Sequence, residues 1–399
     1  MKIRLTTTVC ATAALALVLA GCGSDSGGSA SSGTGDYRVL VLGGLSADGV
    51  LADNAATSVN SAKASVDFAN ELGGVGGRKV TIEVIDDAAD PTAAVTKLRA
   101  AISKGKPDLV LNSGPSTVAE ATLPILNQNK ILSFNIGPTE TSSDPAKFPL
   151  NFDLSPGPGD QIAAYIPYLK EKGYAKVGIL HGNSSYGEAY GAASEKAYAQ
   201  EGVDVTANKE YDVAALDMTA QVEAIKATRP DALVLDAYGA PLGYVLKSIE
   251  KVGWDIPVIG NTSVAATGLI STPPPSGVLG TDQVKNLLMQ VYASTKHDAS
   301  ATAVNEAVAR MKKHGPIKAT LILAYNYDAL PLVVAAAEAA GSTDAGKIAK
   351  ALETPAVQDK AKTAIINHYG FTSEAHHPSD IQKEFAFIPP SAIKDGQYQ

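Results

Sequence analysis

Short apolar runs and longer amphipathic runs alternate along the chain from Tyr37 onward. The short runs are rich in β-branched residues, which is typical of buried strands in a parallel sheet. They predict strands at residues 39–42, 80–85, 109–111, 131–134, 177–180, 203–205, 232–235 and 258–259. The runs between them predict helices at residues 57–72, 91–103, 116–127, 161–172, 186–201, 217–228 and 240–252. This alternation indicates an α/β fold with parallel sheets.

The number of strand–helix units is larger than one ordinary doubly wound sheet contains. Two architectures remain: two lobes, or a single eight-fold barrel. Two features favour two lobes. Residues 151–159 (NFDLSPGPG) are rich in proline and glycine, as expected of a segment that crosses between lobes. Beyond residue 259 the alternation stops, whereas a barrel would continue it. A proline-rich loop there precedes an apolar run at 287–291 and helices at 301–313, 319–340 and 345–352.

The N-terminus has the pattern of an export signal. Lys2 and Arg4 precede a mostly apolar stretch whose fully apolar part is shorter than the roughly 20 residues that span a bilayer. Residues 19–22 (LAGC) are similar to the bacterial lipobox, in which a peptidase cuts before a cysteine that receives a lipid. An ordinary signal with a chance cysteine is the alternative. We therefore expect a signal peptide at 1–21, a lipidated Cys22 on the outer face of the cell membrane, and a flexible Gly/Ser tether at 22–35.

Charge and composition exclude several kinds of protein. Lys+Arg total 33 against Asp+Glu 41, and the net charge of −8 is opposite to the basic surface that nucleic acids require. Cysteines occur only at Cys10 and Cys22, so no later residue can form a disulfide or ligate a metal through sulfur. The common hydrolase, nucleotide-binding and metalloprotease motifs are absent, which agrees with a protein without catalysis or cofactor. His376 and His377 are expected in a solvated loop rather than in a zinc site.

Several stretches, in their order and spacing, resemble the type I periplasmic binding proteins, specifically the leucine/isoleucine/valine-binding branch that feeds ATP-driven importers. They include residues 67–79 (DFANELGGVGGRK), 131–139 (ILSFNIGPT), 177–188 (VGILHGNSSYGE) and 325–329 (YNYDA). The resemblance covers nearly everything after Asp36. It implies two Rossmann-like lobes joined by three crossing segments, with ligand bound between the lobes at the carboxyl ends of the strands. The expected division is 36–156 and 293–356 for the first lobe, and 157–292 and 357–399 for the second.

The first lobe contains two loops with groups suited to a carboxylate. Ser116 and Thr117 open a helix, whose first N–H groups form a ready anion site, although a plain helix cap is the alternative. The resemblance implies a carboxylate contact for this position. It also implies that Gly137 offers a backbone carbonyl to a ligand amine, and that Thr139 offers its hydroxyl and N–H to a carboxylate. A simple turn is the alternative for the loop at 137–139.

In the second lobe, the resemblance implies that Tyr186 closes over the ligand, with a core aromatic as the alternative. Tyr238 is a second candidate for the same wall, and His181 is expected behind it. The amino-acid binders place a glutamate where this chain has Thr262, so an α-ammonium would lack its partner. A carboxylate without an amine, or a neutral amide, then becomes credible. Asp236 or Asp87 could replace the acid, although both stand where capping or turn roles are common.

The function implied is that of a monomeric, lipid-anchored receptor that delivers a small carboxylate, amide or amino acid to the permease and ATPase subunits of an importer. Lobe closure around the ligand would present one composite surface to the permease. A surface sensor coupled to a membrane signalling protein, and an enzyme on the same fold, are the alternatives.

Overall fold

The computed structural model describes residues 35–399, so the predicted signal peptide, Cys22 and nearly all of the tether lie outside the described residues. The first sheet has five parallel strands in the order β2-β1-β3-β4-β5. Its strands are β1 (Tyr37–Gly43), β2 (Val80–Asp86), β3 (Leu109–Asn112), β4 (Leu132–Asn135) and β5 (Asn151–Asp153). Helices α1 (Val50–Glu71), α2 (Pro91–Lys104) and α3 (Ser116–Gln128) connect them. Short β5 falls in the segment predicted to be a crossover, and it pairs with β4 just before the chain leaves this sheet.

The second sheet has six strands in the order β11-β10-β9-β8-β6-β7. Its strands are β6 (Lys176–Gly182), β7 (Asp204–Tyr211), β8 (Ala232–Leu235), β9 (Val258–Gly260), β10 (Leu287–Tyr292) and β11 (Phe385–Ile388). The intervening helices are α4 (Pro158–Lys172), α5 (Ser185–Gln200), α6 (Thr219–Ala227), α7 (Ala240–Lys251) and the short α8 (Thr262–Ala265). Only β11 runs antiparallel to its neighbour in this sheet. Both sheets share the doubly wound strand order, so the predicted α/β fold with parallel sheets is confirmed and the barrel is excluded.

The C-terminal helices α9 (Thr302–Lys312), α10 (Asn326–Ala340), α11 (Ala345–Leu352) and α12 (Pro355–Gln358) return to the first sheet. Helices α9 and α10 pack on α1, and Ser65 of α1 donates a hydrogen bond to the carbonyl of Tyr327 at 2.7 Å. The stretch Leu321–Ala340 is long and apolar enough to cross a membrane, but 83% of an apolar 18-residue part of it is buried inside the fold. It is therefore accounted for as a core helix. We call the first sheet with its helices the first lobe, and the second sheet with its helices the second lobe.

The last connection between the lobes is held by a buried carboxylate. Asp328 of α10 accepts hydrogen bonds from the backbone nitrogens of Ala364 at 2.7 Å and Ile366 at 2.9 Å. The chain therefore still contacts the first lobe at these residues, and it pairs with the second sheet only from Phe385. We propose that the last lobe boundary, expected at residue 357, lies between Ile366 and Phe385.

Candidate ligand-binding cleft

The two lobes meet at the carboxyl ends of their strands. Ser185, at the start of α5, donates a hydrogen bond to the carboxylate of Glu120 on α3. The amide of Asn54 on α1 donates to the hydroxyl of Tyr238, just past β8, at 2.7 Å. The lobes are therefore closed upon each other at two separate points. The cleft between them lies where open α/β sheets bind their ligands.

The first-lobe wall contains the start of α3 and the loop after β4. Ser116 begins α3 and is buried, whereas the neighbouring Thr117 is exposed. No side chain caps this helix start. A Cβ added at Gly137 would lie 2.7 Å from the backbone nitrogen of Ser116, so the absence of a side chain lets the two loops approach. The structure thus brings Ser116 and Gly137 together.

Thr139 organises its own loop in this conformation. Its hydroxyl accepts hydrogen bonds from the backbone nitrogens of Thr141 at 3.3 Å and Ser142 at 3.0 Å. Its own backbone N–H donates to the Ser142 hydroxyl at 2.8 Å. The expected N–H group is therefore engaged locally, whereas the hydroxyl only accepts in these bonds and can still donate its hydrogen to a carboxylate.

The second-lobe wall contains Tyr186 and Thr262, which a third residue links. The amide nitrogen of Gln161 donates to the Tyr186 hydroxyl at 2.7 Å, and the Thr262 hydroxyl donates to the Gln161 amide oxygen at 2.8 Å. All three side chains are buried. Sequence reasoning did not identify Gln161, because a glutamine in the first turn of a helix carries no signal of its own.

Asp236 lies one residue past β8, the strand that has β6 on one side and β9 on the other. It is therefore central among the loops that supply Tyr186 and Thr262. Asn261 donates a hydrogen bond to its carboxylate at 2.7 Å. Burial raises the pKa of Asp236, while hydrogen bonds from Asn261 and Ser263 act in the opposite direction. No salt bridge among residues 35–399 includes Asp236.

The phenol groups around the cleft keep their protons at neutral pH. Burial raises the pKa of Tyr186 well above its usual range, and nearby Asp236 adds to this effect. Burial also raises the pKa of Tyr238 to about 12, although the hydrogen bond from Asn54 acts to lower it. Each of these hydroxyls can therefore still donate one hydrogen bond.

The remaining candidate residues make contacts that hold or pack the fold. The carboxylate of Asp87 accepts from the backbone nitrogen of Ala89 at 2.8 Å, which holds its own loop. His181 packs so tightly under α5 that a Cβ at Gly191 would lie 2.3 Å from its ring. His376 is fully buried and stacks on Phe152 at 3.9 Å, so the expectation of a solvated loop was wrong for this residue. Within the described ranges, no group of His, Cys, Asp and Glu side chains could hold a metal ion.

Known proteins with similar sequences or structures match this architecture. The family model for "periplasmic binding protein" matches residues 37–381. A curated relative, Leu/Ile/Val-binding protein homolog 3 of Brucella melitensis, is 25% identical over 73% of this chain and 76% of its own.

Solved structures agree on the fold. A type 1 periplasmic binding protein from Bordetella pertussis superposes with a TM-score of 0.73 at 20% identity, over 89% of this chain and 96% of its own. A solute-binding protein of an ABC transporter from R. palustris, in complex with 4-hydroxybenzoate, superposes with a TM-score of 0.65 at 20% identity. The superposition covers 79% of this chain and 84% of that protein. Family members are solute-binding proteins rather than enzymes. The chain therefore belongs to the periplasmic binding proteins, and its fold is that of the type I members.

Proposed function

We propose that this chain is an extracytoplasmic solute-binding protein of an ATP-driven importer, which captures a small carboxylate, amide or amino-acid-like ligand between its two lobes. The observation that carries the proposal is the buried polar cluster of Tyr186, Gln161 and Thr262 at the strand ends that face the other lobe. Named relatives bind branched-chain amino acids, and one structural neighbour holds 4-hydroxybenzoate. All these solutes carry a carboxylate.

The two walls of the cleft contact different parts of the ligand. The uncapped start of α3 at Ser116 offers backbone N–H groups and a partial positive charge to a carboxylate. Thr117 at the same helix start, and Gly137 and Thr139 in the next loop, complete this wall. Tyr186 covers the ligand from the second lobe, with Tyr238 and Thr262 beside it. Ligand binding shifts the population toward the closed form, whose joined surface the permease subunits recognise.

Lipidation of Cys22 would hold the receptor beside its permease. The segment after Cys22 is rich in glycine and serine, which suits a flexible tether between lipid and lobes. We expect the wild-type protein in the membrane fraction with a lipid on Cys22. The Cys22→Ser variant should lack the lipid, and a lipid still present on that variant would contradict the anchor.

A thermal-shift screen tests the binding function. A ligand that binds only the folded protein raises the melting temperature by mass action, by an amount that grows with its concentration. The panel comprises L-leucine, L-valine, L-phenylalanine, 4-methylpentanoate, 4-methylpentanamide and 4-hydroxybenzoate. We expect a saturable shift with at least one of these solutes. A panel without any shift would contradict the proposed function.

A further inference from the structure

Gln161 connects the two second-lobe residues expected to face the ligand, yet it belongs to neither of their loops. It lies in the first turn of α4, directly after the chain has crossed from β5. Its backbone carbonyl accepts a hydrogen bond at 3.0 Å from the side chain of Gln290 on β10, the strand that precedes the second connection between the lobes. The side chains of Gln161 and Gln290 are both fully buried. Gln161 is thus fixed by two segments next to the lobe connections.

The amide orientation of Gln161 follows from its neighbours. The backbone N–H of Thr262 can only donate, and it lies 3.4 Å from the amide oxygen of Gln161. The oxygen therefore belongs at the Thr262 end and the NH₂ group at the Tyr186 end. In the bond of 2.7 Å to Gln161, the Tyr186 hydroxyl is consequently the acceptor.

This orientation of the Gln161 amide decides whether the hydroxyls of Tyr186 and Thr262 donate to a ligand or accept from it. Tyr186 has accepted from Gln161, so its own hydrogen is available to a ligand. Thr262 has given its hydrogen to Gln161 at 2.8 Å, so only its oxygen lone pairs are available. A buried polar group that meets no partner costs free energy, and a ligand with the wrong polarity would therefore be rejected.

We propose that Gln161 is a positioning residue that sets the hydrogen-bond polarity of the cleft, so that Tyr186 donates to the ligand and Thr262 accepts from it. The inference rests on the proposed function and narrows it. The favoured solute carries a carboxylate or carbonyl oxygen that meets Tyr186 and an N–H group that meets Thr262. Amino acids and carboxamides satisfy both conditions, whereas simple carboxylic acids satisfy only the first.

A double-mutant cycle between Gln161 and Tyr186 tests the inference, with L-leucine, 4-methylpentanamide and 4-methylpentanoate as probes in calorimetry on the purified protein. We expect Gln161→Met to weaken the tightest-binding probe by about ten-fold. On the Tyr186→Phe background, the same change should cost several-fold less, because the hydroxyl that Gln161 orients is gone. The wild type should bind L-leucine or the amide more tightly than the acid.

A second variant separates polarity from packing. Gln161→Glu keeps the shape of the side chain, and its ionised carboxylate can only accept. At a pH high enough to ionise this buried carboxyl, both neighbouring hydroxyls would donate to it and Tyr186 would lose its hydrogen for the ligand. It should weaken the same probe at least as much as Gln161→Met does. Gln358→Met is the matched control: this buried glutamine bonds backbone groups of Leu352 and Phe371 and no side chain of the cleft. It should lower the melting temperature and leave affinity within about twofold.

The outcomes are distinct. The positioning role would be overturned if the affinity losses of Gln161→Met and Tyr186→Phe simply multiplied in the double variant. It would also be overturned if Gln161→Glu left the affinity unchanged. Tighter binding of 4-methylpentanoate than of both N–H-bearing probes would overturn the ligand class. If the wild type bound none of the three probes but bound another carboxylate, the inference would fail and the proposed function would stand. Binding of no small solute at all would overturn both.

Discussion

The side-chain amide of Asn54 lies 2.7 Å from the hydroxyl of Tyr238, and this hydrogen bond joins α1 of the first lobe to the loop after β8 in the second. The neighbouring Gly239 lies close to the same helix, since a Cβ built there would come within 3.7 Å of Val50 and 3.8 Å of Leu51. Tyr238 was expected to form part of the ligand wall. In the closed form, its hydroxyl also joins one lobe to the other.

Removal of this hydroxyl should weaken ligand binding by destabilising the closed form. The Tyr238→Phe variant keeps the ring and loses the acceptor for Asn54, which removes about 0.5–1.5 kcal/mol from the closed form. We expect two- to ten-fold weaker binding of the tightest-binding solute in calorimetry, on the order set by that energy. Tyr168→Phe, on α4 against Phe387, is the control and should change affinity by less than about twofold. Equal affinities for wild type and Tyr238→Phe would contradict a role in closure.

Asp236 bears on whether the solute carries an ammonium. The sequence suggested that Thr262 leaves an ammonium without a counter-charge, but the structure places the buried carboxyl of Asp236 beside the same loops. The Asp236→Asn variant keeps the shape and removes the charge. We expect binding of L-leucine to weaken by roughly ten- to a hundred-fold, while binding of 4-methylpentanoate changes little. A purely structural role for Asp236 would weaken both probes equally.

Asp328 should contribute strongly to stability. Its carboxylate accepts hydrogen bonds from the backbone nitrogens of residues 364–366 and from the hydroxyl of Tyr369 at 2.8 Å. An amide in its place would turn hydrogens toward these donors, so Asp328→Asn should lower the free energy of unfolding by about 2–4 kcal/mol in urea. Asp344→Asn is the control, because asparagine caps a helix as well as aspartate does. It should change stability by less than about 0.5 kcal/mol. Similar stabilities for the two variants would contradict this role of Asp328.

His377, which lies near the lobe connection, should make the free energy of unfolding depend on pH. Its ring nitrogen lies 3.1 Å from the carboxylate of Asp160. Burial lowers the pKa of His377, but the hydrogen bond and charge of Asp160, together with the carbonyl of Pro378 and the charge of Asp153, raise it above 6.5. A raised native pKa means that the protonated histidine stabilises the fold. This contribution is complete below about pH 6.5 and disappears as pH rises through the native pKa.

Urea titrations of wild type and His377→Gln over a pH series would measure this contribution. Asp153, a buried carboxyl whose pKa burial raises to about 6, also interacts with His377, so the comparison is repeated on an Asp153→Asn background. On both backgrounds, the stability difference should be largest at low pH and shrink as pH rises. A difference that grows with pH would contradict the assignment.

The sequence predicted those features that depend on local patterns. Apolar runs located β1 to β4, β6, β8 and β9, since each of these strands contains several apolar residues close together. The pattern missed the true length of β7, because this strand lies at the sheet edge and its second half is polar. It also missed the start of α1, which begins at Val50 rather than at residue 57.

The candidate site was predictable where a loop follows a strand, as for Ser116, Gly137 and Tyr186. Gln161 was not predictable, because its partners Tyr186 and Thr262 lie 25 and 101 residues away and only the folded sheet brings them together. The burial of His376 against Phe152 depends in the same way on a contact between distant segments.

A calorimetric comparison of wild type and Tyr186→Ala tests most directly whether a small solute binds between the lobes. The titrant is the solute from the screening panel that gives the largest thermal shift. We expect one binding site in the wild type and at least about thirty-fold weaker binding in the variant, because truncation of a central buried aromatic costs about 2 kcal/mol or more. Unchanged affinity in Tyr186→Ala, with the fold intact by circular dichroism, would show that the solute binds elsewhere and would contradict the cleft.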